Sequence, residues 1–170
     1  MIKPHGSDTL NPLYVRDDNE RKALLAEAEK LPSVVVSSAA AANAVMLGAG
    51  YFNPLTGFMN LKDALAVAEG MKTTSGLFWP TPVVNVLEDV STIKDAKRIA
   101  LRDPNVDGNP IIAIQDVEAI EEATDDQMKL MTEKVYRTLD PEHPGVKAFT
   151  SVGKFFVSGP IKVLSYSYFA

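Results

Sequence analysis

The feature that most restricts the fold is a change in hydrophobic period near residue 77. Before it, apolar residues recur at helical spacing in three segments: Asp18 to Leu31, Ser38 to Leu47 and Leu61 to Glu69. After it, short apolar and β-branched runs separated by turn residues are typical of strands. Helices followed mostly by strands predict an α+β fold, and this order argues against an alternating, doubly wound α/β sheet.

Local signals predict where the helices begin and end. The N-caps expected from side-chain type are Asp17 or Asp18, Ser37 or Ser38, Asn60, and Thr124 with the capping-box partner Gln127. The expected stops are Pro32, the pair Gly48 and Gly50 as a left-handed exit, and Gly70. A short strand, Val34–Val36, separates the first two helices. Residues 1–16 are expected to form an extended arm, because Pro4, Gly6 and Pro12 break any regular pattern.

The second half of the sequence predicts a strand at the sheet margin, a hairpin and two late strands. Phe78–Val86 is expected at a sheet margin, because Pro80 and Pro82 both lack a donor on the same edge. Turn residues between Arg98–Arg102 and Ile111–Ile114 predict a hairpin. Phe155–Val157 and Ile161–Leu164 are two late strands, separated in this interpretation by Ser158, Gly159 and Pro160.

Composition limits the classes of function. The chain has 170 residues, which favours one domain, and it has no cysteine, which removes thiolate nucleophiles and disulfides. Its formal net charge of −5 makes nucleic acid an unlikely partner on charge alone. The longest apolar stretch, Ala39 to Phe52, is too short and interrupted to cross a bilayer, and the first residues lack an apolar signal core. We therefore expect a soluble, cytoplasmic protein.

Few residues are candidates for chemistry. The two histidines, His5 and His143, are far apart in sequence; His5 is a weak candidate in the arm, and for His143 a turn or cap role is favoured over catalysis. The acidic pairs Asp17/Asp18, Glu121/Glu122 and Asp125/Asp126 are all interpreted as helix-boundary charges. Arg98 and Arg102 could each reach an anion, although an ion pair of Arg102 with Asp103 is favoured.

The stretch GYFNPLTGFM, Gly50–Met59, could be a ligand loop or a packed corner. Its turn pairs Asn53-Pro54 and Thr56-Gly57, together with the apolar area expected from Tyr51, Phe52 and Phe58, favour a packed corner that positions helices and does no chemistry.

Six blocks in order resemble the ATP sulfurylase (sulfate adenylyltransferase) family. They are Lys3–Gly6, Gly50–Met59, Phe78–Pro82, Ile99–Asp103, Val135–Val146 and Ser158–Ile161. The segments 1–8 and 31–38 look most like the dissimilatory branch of sulfur-metabolising bacteria. The resemblance covers essentially the whole chain. It implies the amino-terminal domain of that family over residues 1–170, a PUA-like pseudobarrel of mostly antiparallel strands with several added helices, mainly in the first half.

The resemblance also implies what this chain lacks. The family converts ATP and sulfate to adenosine 5′-phosphosulfate and pyrophosphate, or the reverse, with Q-x-R-N and H-x-x-H segments in a following catalytic domain. Neither segment occurs here, since Gln115 and Gln127 begin no Q-x-R-N. We therefore expect the catalytic domain to be absent, the isolated chain to be inactive, and no catalytic, cofactor-binding or metal-binding residue in this sequence.

The resemblance implies two kinds of partner and leaves an alternative open. The expected partners are the chain's own catalytic domain and further copies in a homo-oligomer, with ATP-binding and the other substrate sites belonging to the complete enzyme. The alternative is a stand-alone PUA-like binding module for RNA or protein, for which the candidate residues are Arg98, Arg102, Lys154 and Lys162.

Overall fold

A computed structural model describes residues 2–166. Its helices are α1 (Asp18–Ala28), α2 (Ser38–Ala49), α3 (Leu61–Gly70), α4 (Asp125–Tyr136) and α5 (Pro144–Thr150). Its strands are β1 (Ser33–Val35), β2 (Gly57–Phe58), β3 (Val86–Leu87), β4 (Arg98–Arg102), β5 (Ile111–Asp116), β6 (Ala119–Glu122) and β7 (Phe155–Val163). Three of these helices precede most of the strands, so the predicted α+β class is confirmed.

The long strand β7 organises the sheet. The strand order is β1-β4-β5-β7-β2, and β3 and β6 also pair with β7. Only β1 and β4 run parallel; the other pairings are antiparallel, including the predicted β4–β5 hairpin. The arm lies against the same strand, because Val15 N–H donates to Val163 O over 3.0 Å and Val163 N–H donates to Leu13 O over 2.9 Å.

The prediction of two late strands was wrong, because β7 is continuous through residues 158–160. Gly159 has φ +139°, and a Cβ built there would lie 1.8 Å from Asp116 O. Only glycine can adopt this conformation with a neighbouring carbonyl so close. β7 changes partners at this residue: residues 155–158 pair with β3 and β6, and residues 159–163 pair with β2 and β5.

The predicted N-caps are confirmed. The side chains of Asp17, Ser37 and Asn60 each accept from a backbone N–H three residues on, at 2.7 Å, 3.1 Å and 2.8 Å. Thr124 and Gln127 form the reciprocal capping box. These bonds satisfy N–H groups that have no partner within the helix, which explains why the caps can be read from short segments.

Several predicted ends and strands need correction. α1 ends at Ala28 rather than Leu31. Gly50 is the left-handed exit of α2, as expected, but Gly48 lies inside the helix. A Cβ on Gly48 would be 3.0 Å from the Val163 side chain, so this glycine allows α2 to pack closely on β7. At the end of α3 the left-handed residue is Met71, one position after Gly70.

The Phe78–Val86 strand was largely wrong. Only Val86 and the following Leu87 form ladder pairs, and Phe78 makes an isolated bridge with Lys72. Pro80 and Pro82 remove the donors that a ladder would need, so the chain between is irregular. The pair Glu121/Glu122 lies in β6 rather than at a helix boundary. The short elements β2, β6 and α5 were not predicted.

Three buried clusters hold the elements together. The largest packs α2 against the sheet, a second joins α3 and α4 to Phe156, and a third lies beneath α1 around Ala100 and Ile114. Within residues 2–166, no helix is both long and apolar enough to cross a membrane.

Candidate functional site

Two surface grooves among the described residues differ in chemistry. The first, called the neutral groove, runs along residues 78–86 between Tyr51 and Phe52 at one end and Tyr136 and Phe149 at the other. Its two parts, of about 480 and 200 Å³, share Asn43, Thr81 and Pro82. The second, called the charged groove, has about 630 Å³ and lies between residues 11–17 and the surface of β5 and β7.

Hydrogen bonds to Asn53 shape one end of the neutral groove. Buried Asn53 follows the turn at the end of α2 and precedes Pro54 in a cis peptide. Its Oδ1 accepts from Asn11 N–H at 2.9 Å, and its Nδ2 donates to His5 O at 3.2 Å and to Ser7 Oγ at 2.7 Å. One amide thus fixes the arm to the corner and satisfies its own polar atoms in doing so.

The Gly50–Met59 segment is a packed corner, with one correction. Phe58 is buried in the main core and Phe52 packs against it. Phe52 also meets Trp79 edge to face, with ring centroids 5.7 Å apart. Tyr51, predicted to supply buried area, is instead 76% exposed and forms the rim of the neutral groove. The prediction failed because the two adjacent rings differ: Phe52 packs against the core, whereas Tyr51 faces solvent.

His5 contributes to the wall of the neutral groove. Its Nε2 lies 2.8 Å from Phe78 O, and its ring is 6.3 Å from the Phe78 ring and 6.0 Å from the Trp79 ring. Trp79 is 7% exposed and forms the floor, whereas Phe78 is 53% exposed. No described residue that lines either part of the neutral groove is Asp, Glu, Lys or Arg.

His143 has the cap role that was predicted. Its Nδ1 accepts from Gly145 N–H at 3.2 Å and from Val146 N–H at 3.4 Å, at the start of α5. The ring also lies 5.8 Å from the ring of Tyr136, at the far end of the neutral groove. Burial raises the pKa of the Tyr136 phenol above its ordinary value. A histidine that holds its lone pair toward two backbone donors is a structural cap.

The charged groove contains matched ion pairs over an apolar floor of Ile114 and Ile161. Arg98 Nε lies 2.6 Å from Asp116 Oδ1 and Arg98 Nη1 lies 3.0 Å from Glu27 Oε1. Lys162 Nζ lies 3.4 Å from Glu20 Oε1. The hydrogen bonds that Arg98 donates to Asp116 and then to Glu27 raise the pKa of Arg98. The lining includes three cations and three carboxylates, so the groove has no formal excess of either charge.

The other two predicted anion-binding candidates are also paired. Arg102 Nη2 lies 3.6 Å from Glu29 Oε2, and Arg102 also donates to Asn109 O and Ser33 Oγ. Glu29 is a carboxylate partner that sequence reasoning did not name, and the pair with Asp103 stays a prediction. Lys154 Nζ lies 2.7 Å from Asp125 Oδ1, and its hydrogen bond lowers the pKa of that carboxyl. The structure therefore does not bring Arg98, Arg102, Lys154 and Lys162 together as one site.

One buried polar pair was missed by sequence reasoning. Asn85 and Gln115 are fully buried, Asn85 Nδ2 donates to Gln115 Oε1 at 3.2 Å, and Gln115 Nε2 donates to Val157 O at 3.0 Å. Asn85 Oδ1 accepts no hydrogen bond from the described residues. Both side chains are neutral amides without acid–base function near pH 7. No local signal marks them: Asn85 lies among valines just before β3, and Gln115 lies in β5 next to Asp116.

Metal-binding groups are also dispersed. Across residues 2–166, no three His, Asp or Glu side chains lie close enough together to hold an ion. The residues that line the two grooves can therefore bury apolar surface and form ion pairs, but they do not form a triad or a carboxylate–histidine constellation.

Comparison with known proteins gives similarity over almost the whole chain. The chain is 62% identical over all its 170 residues to a sulfate adenylyltransferase of Alcanivorax borkumensis, and 59% identical over 99% of the chain to one of Allochromatium vinosum. It is 56% identical to the enzyme of the Riftia pachyptila sulfur-oxidizing endosymbiont. These alignments cover 42%, 43% and 38% of the relatives, so the chain spans about two fifths of their length. The resemblance predicted from sequence is confirmed.

A solved structure and a family profile agree on the fold. The structure described as a hexameric APS kinase from Thiobacillus denitrificans superposes on 97% of this chain with a TM-score of 0.65, at 24% identity and over 27% of its own length. The profile of the PUA-like domain matches residues 2–166. The predicted PUA-like architecture is confirmed, and this chain belongs to the PUA-like domain family.

Proposed function

We propose that this chain is a non-catalytic supporting domain of a sulfate adenylyltransferase, the enzyme that joins ATP and sulfate into adenosine 5′-phosphosulfate and pyrophosphate, or runs the reverse reaction. The observation that carries the proposal is the extent of the match. The whole chain is 62% identical to one such enzyme and spans only 42% of it. The reacting groups are proposed to belong to the remaining part of that enzyme.

The chemistry of the described residues supports this division. Adenylyl transfer needs cations or backbone donors directed at phosphate oxygens, in a site where they are not already neutralised. Here Arg98, Lys162 and Lys154 each contact a carboxylate. His143 caps a helix. We therefore propose that ATP, sulfate, adenosine 5′-phosphosulfate and pyrophosphate are bound outside residues 2–166, and that this part of the chain holds no cofactor.

The finer features of the enzyme belong to the same proposal. A dissimilatory role is supported by the 56% identity to the enzyme of a sulfur-oxidizing endosymbiont. Homo-oligomeric assembly is supported by exposed apolar side chains that lie outside the neutral groove, such as Val35 and Met71. The setting we propose is the cytoplasm, because the reaction consumes or forms ATP. RNA binding, the alternative predicted from sequence, is supported by no cluster of unpaired cations among its four candidate residues.

Two proteins test the proposal in one assay of ATP formation from adenosine 5′-phosphosulfate and pyrophosphate. The first is the 170-residue chain, for which we expect no turnover. The second is a chimera in which this chain replaces the matched segment of the Alcanivorax borkumensis enzyme, for which we expect turnover near that of the parent. Activity of the chain alone would contradict a non-catalytic role. A folded but inactive chimera would contradict the assignment to this enzyme.

A further inference from the structure

The neutral groove combines three features that are rarely found together on a solvated surface. Charged residues are 23% of the chain, yet no described residue that lines the groove is charged. Two large rings at its rim, Tyr51 and Phe78, are 76% and 53% exposed. A hollow with Trp79 at its floor lies directly beside them. Depletion of charge with enrichment of aromatic rings is the composition of the core of a protein–protein interface.

The backbone along the neutral groove excludes one mode of binding. A partner strand could add to an exposed edge only where successive N–H groups are available. Pro80 and Pro82 have no N–H, and the segment between Phe78 and Val86 is not part of a ladder. A partner must therefore dock through side chains, with Tyr51 and Phe78 inserted into its surface and its own apolar groups placed over Trp79.

The resemblance blocks point to the identity of the partner. Four of the six blocks that resemble sulfate adenylyltransferase contribute to this one groove: His5 from the first, Tyr51 from the second, Phe78 from the third and Tyr136 from the fifth. They come from the arm, the corner, the proline segment and the end of α4, which are brought together only by folding. Residues from four of these blocks thus line one surface that carries no catalytic groups.

The part of each relative that lies outside the matched region is a candidate occupant of the neutral groove. The three relatives named above have more than half of their length outside the matched region. The segment that covers the neutral groove must itself present an apolar patch. A charged side chain of that segment would be buried against the groove without an opposite charge. The charged groove is a poorer candidate because its ion pairs are already formed within the domain.

From these observations we propose that the neutral groove is the docking surface for the remaining polypeptide of a sulfate adenylyltransferase, with Tyr51 and Phe78 as its anchors. This inference rests on the proposed function, because it takes the partner from that enzyme. A second copy of this chain and a small apolar ligand are competing occupants that the experiment distinguishes.

The absence of cysteine makes a direct test possible, because one introduced thiol is unique in this chain. Tyr51→Cys places it on the rim of the groove, and Ala26→Cys is the matched control on the exposed surface of α1. Both variants are made in the isolated chain and in the chimera, and thiol modification is followed by mass spectrometry of the peptide that carries it. In the isolated chain we expect both thiols to react at similar rates.

In the chimera we expect modification of Tyr51→Cys to slow by about 100-fold or more, as for a site exposed only by rare opening, while Ala26→Cys stays within about threefold. Equal rates for Tyr51→Cys in the two proteins would overturn the proposal. So would a slowing in the isolated chain that grows with its concentration and accompanies a dimer in sedimentation, because the occupant would then be a second copy. Protection of the isolated chain at every concentration would identify a bound ligand and overturn it too.

Two further measurements keep the result interpretable. If the chimera does not fold, the same two cysteines are placed at the aligned positions of the intact Alcanivorax borkumensis enzyme. Phe78→Asp should leave the isolated chain folded, since the ring is half exposed, but restore rapid modification of Tyr51→Cys in the chimera. Turnover is measured in parallel. An active chimera in which Tyr51→Cys reacts rapidly contradicts only the docking proposal. An inactive chimera in which Tyr51→Cys is protected contradicts only the proposed function.

Discussion

The neutral groove and the charged groove lie on one domain, but they differ in which of their side chains have partners within that domain. In the charged groove Arg98 has Asp116 and Glu27 as partners and Lys162 has Glu20, all from within the domain. In the neutral groove the polar atoms of Asn53 are satisfied internally, while the rings of Tyr51 and Phe78 remain in solvent. The ion pairs of Arg98 and Lys162 in the charged groove are thus formed without a partner molecule. The neutral groove leaves large apolar groups uncovered, which is the usual sign of a missing partner.

The tyrosines near the two grooves show the same contrast. Burial alone raises the pKa of Tyr136, beside the neutral groove. Burial and then Tyr14 raise the pKa of Tyr166, which stacks on Tyr14 beside the charged groove, but Arg16 acts in the opposite sense. A phenolate beside the charged groove thus has a cation to offset its desolvation, whereas one beside the neutral groove does not. The comparison predicts different responses to truncation, salt and pH.

Removing the floor of the neutral groove should have the largest effect. Trp79→Ala deletes a buried ring that packs edge to face on Phe52, so we expect a loss of about 3 kcal/mol in the free energy of unfolding, the range for buried aromatic truncation. The loss should not depend on salt, because it comes from apolar burial. Urea unfolding at low and high NaCl measures it.

The control is Tyr51→Ala on the rim of the same groove. Its ring is exposed, so the change should stay within about 0.5 kcal/mol of wild type in the isolated chain. A cost below about 1 kcal/mol for Trp79→Ala would mean that the groove floor is not part of the core, and would remove the rigid support that docking requires.

The features of both grooves that could be predicted from sequence are those that depend on near neighbours. Asp17, Asn60 and Thr124 cap helices through bonds within three residues, and His143 does the same. Such bonds need no tertiary contact, so residue type and position suffice to identify them.

The features that could not be predicted depend on distant segments. Arg102 pairs with Glu29 at the end of α1, a carboxylate far away in sequence that no local pattern indicates. In the sequence Gly159 looks like a turn residue, but it lies inside a continuous strand, where Asp116 O leaves no room for a side chain. The neutral groove itself is assembled from six separated segments, and no periodicity within one of them indicates it.

Removing the central cation of the charged groove should have a smaller, salt-dependent effect. Arg98→Met keeps the apolar stem but deletes the contacts to Asp116 and Glu27, so we expect a loss of about 1 kcal/mol at low salt, the upper range for partly exposed ion pairs. Near 1 M NaCl the loss should shrink, because screening weakens the pairs in the wild type.

Lys162→Met is the matched control for Arg98→Met. Its single contact with Glu20 is longer, at 3.4 Å, so its cost should be smaller than that of Arg98→Met at the same salt concentration. If the two variants cost the same, or if salt leaves the cost of Arg98→Met unchanged, the stability of the charged groove would not come from its ion pairs.

The smallest expected effect is the alkaline response of Tyr136. Its pKa is raised in the folded state, so in the unfolded chain the phenol ionises first as the pH rises above about 10. The contribution to stability is therefore fully present below that pH and is lost as the pH rises toward the folded pKa. Urea midpoints are measured at about pH 9 and about pH 11, roughly one unit on either side of the ordinary tyrosine pKa. Tyr136→Phe should make the loss of stability between these two pH values slightly smaller. Tyr51→Phe controls for removal of an exposed hydroxyl on the same groove. An unchanged slope for Tyr136→Phe would show that water reaches this phenol freely, and the far end of the neutral groove would then be too wet to belong to a docking surface.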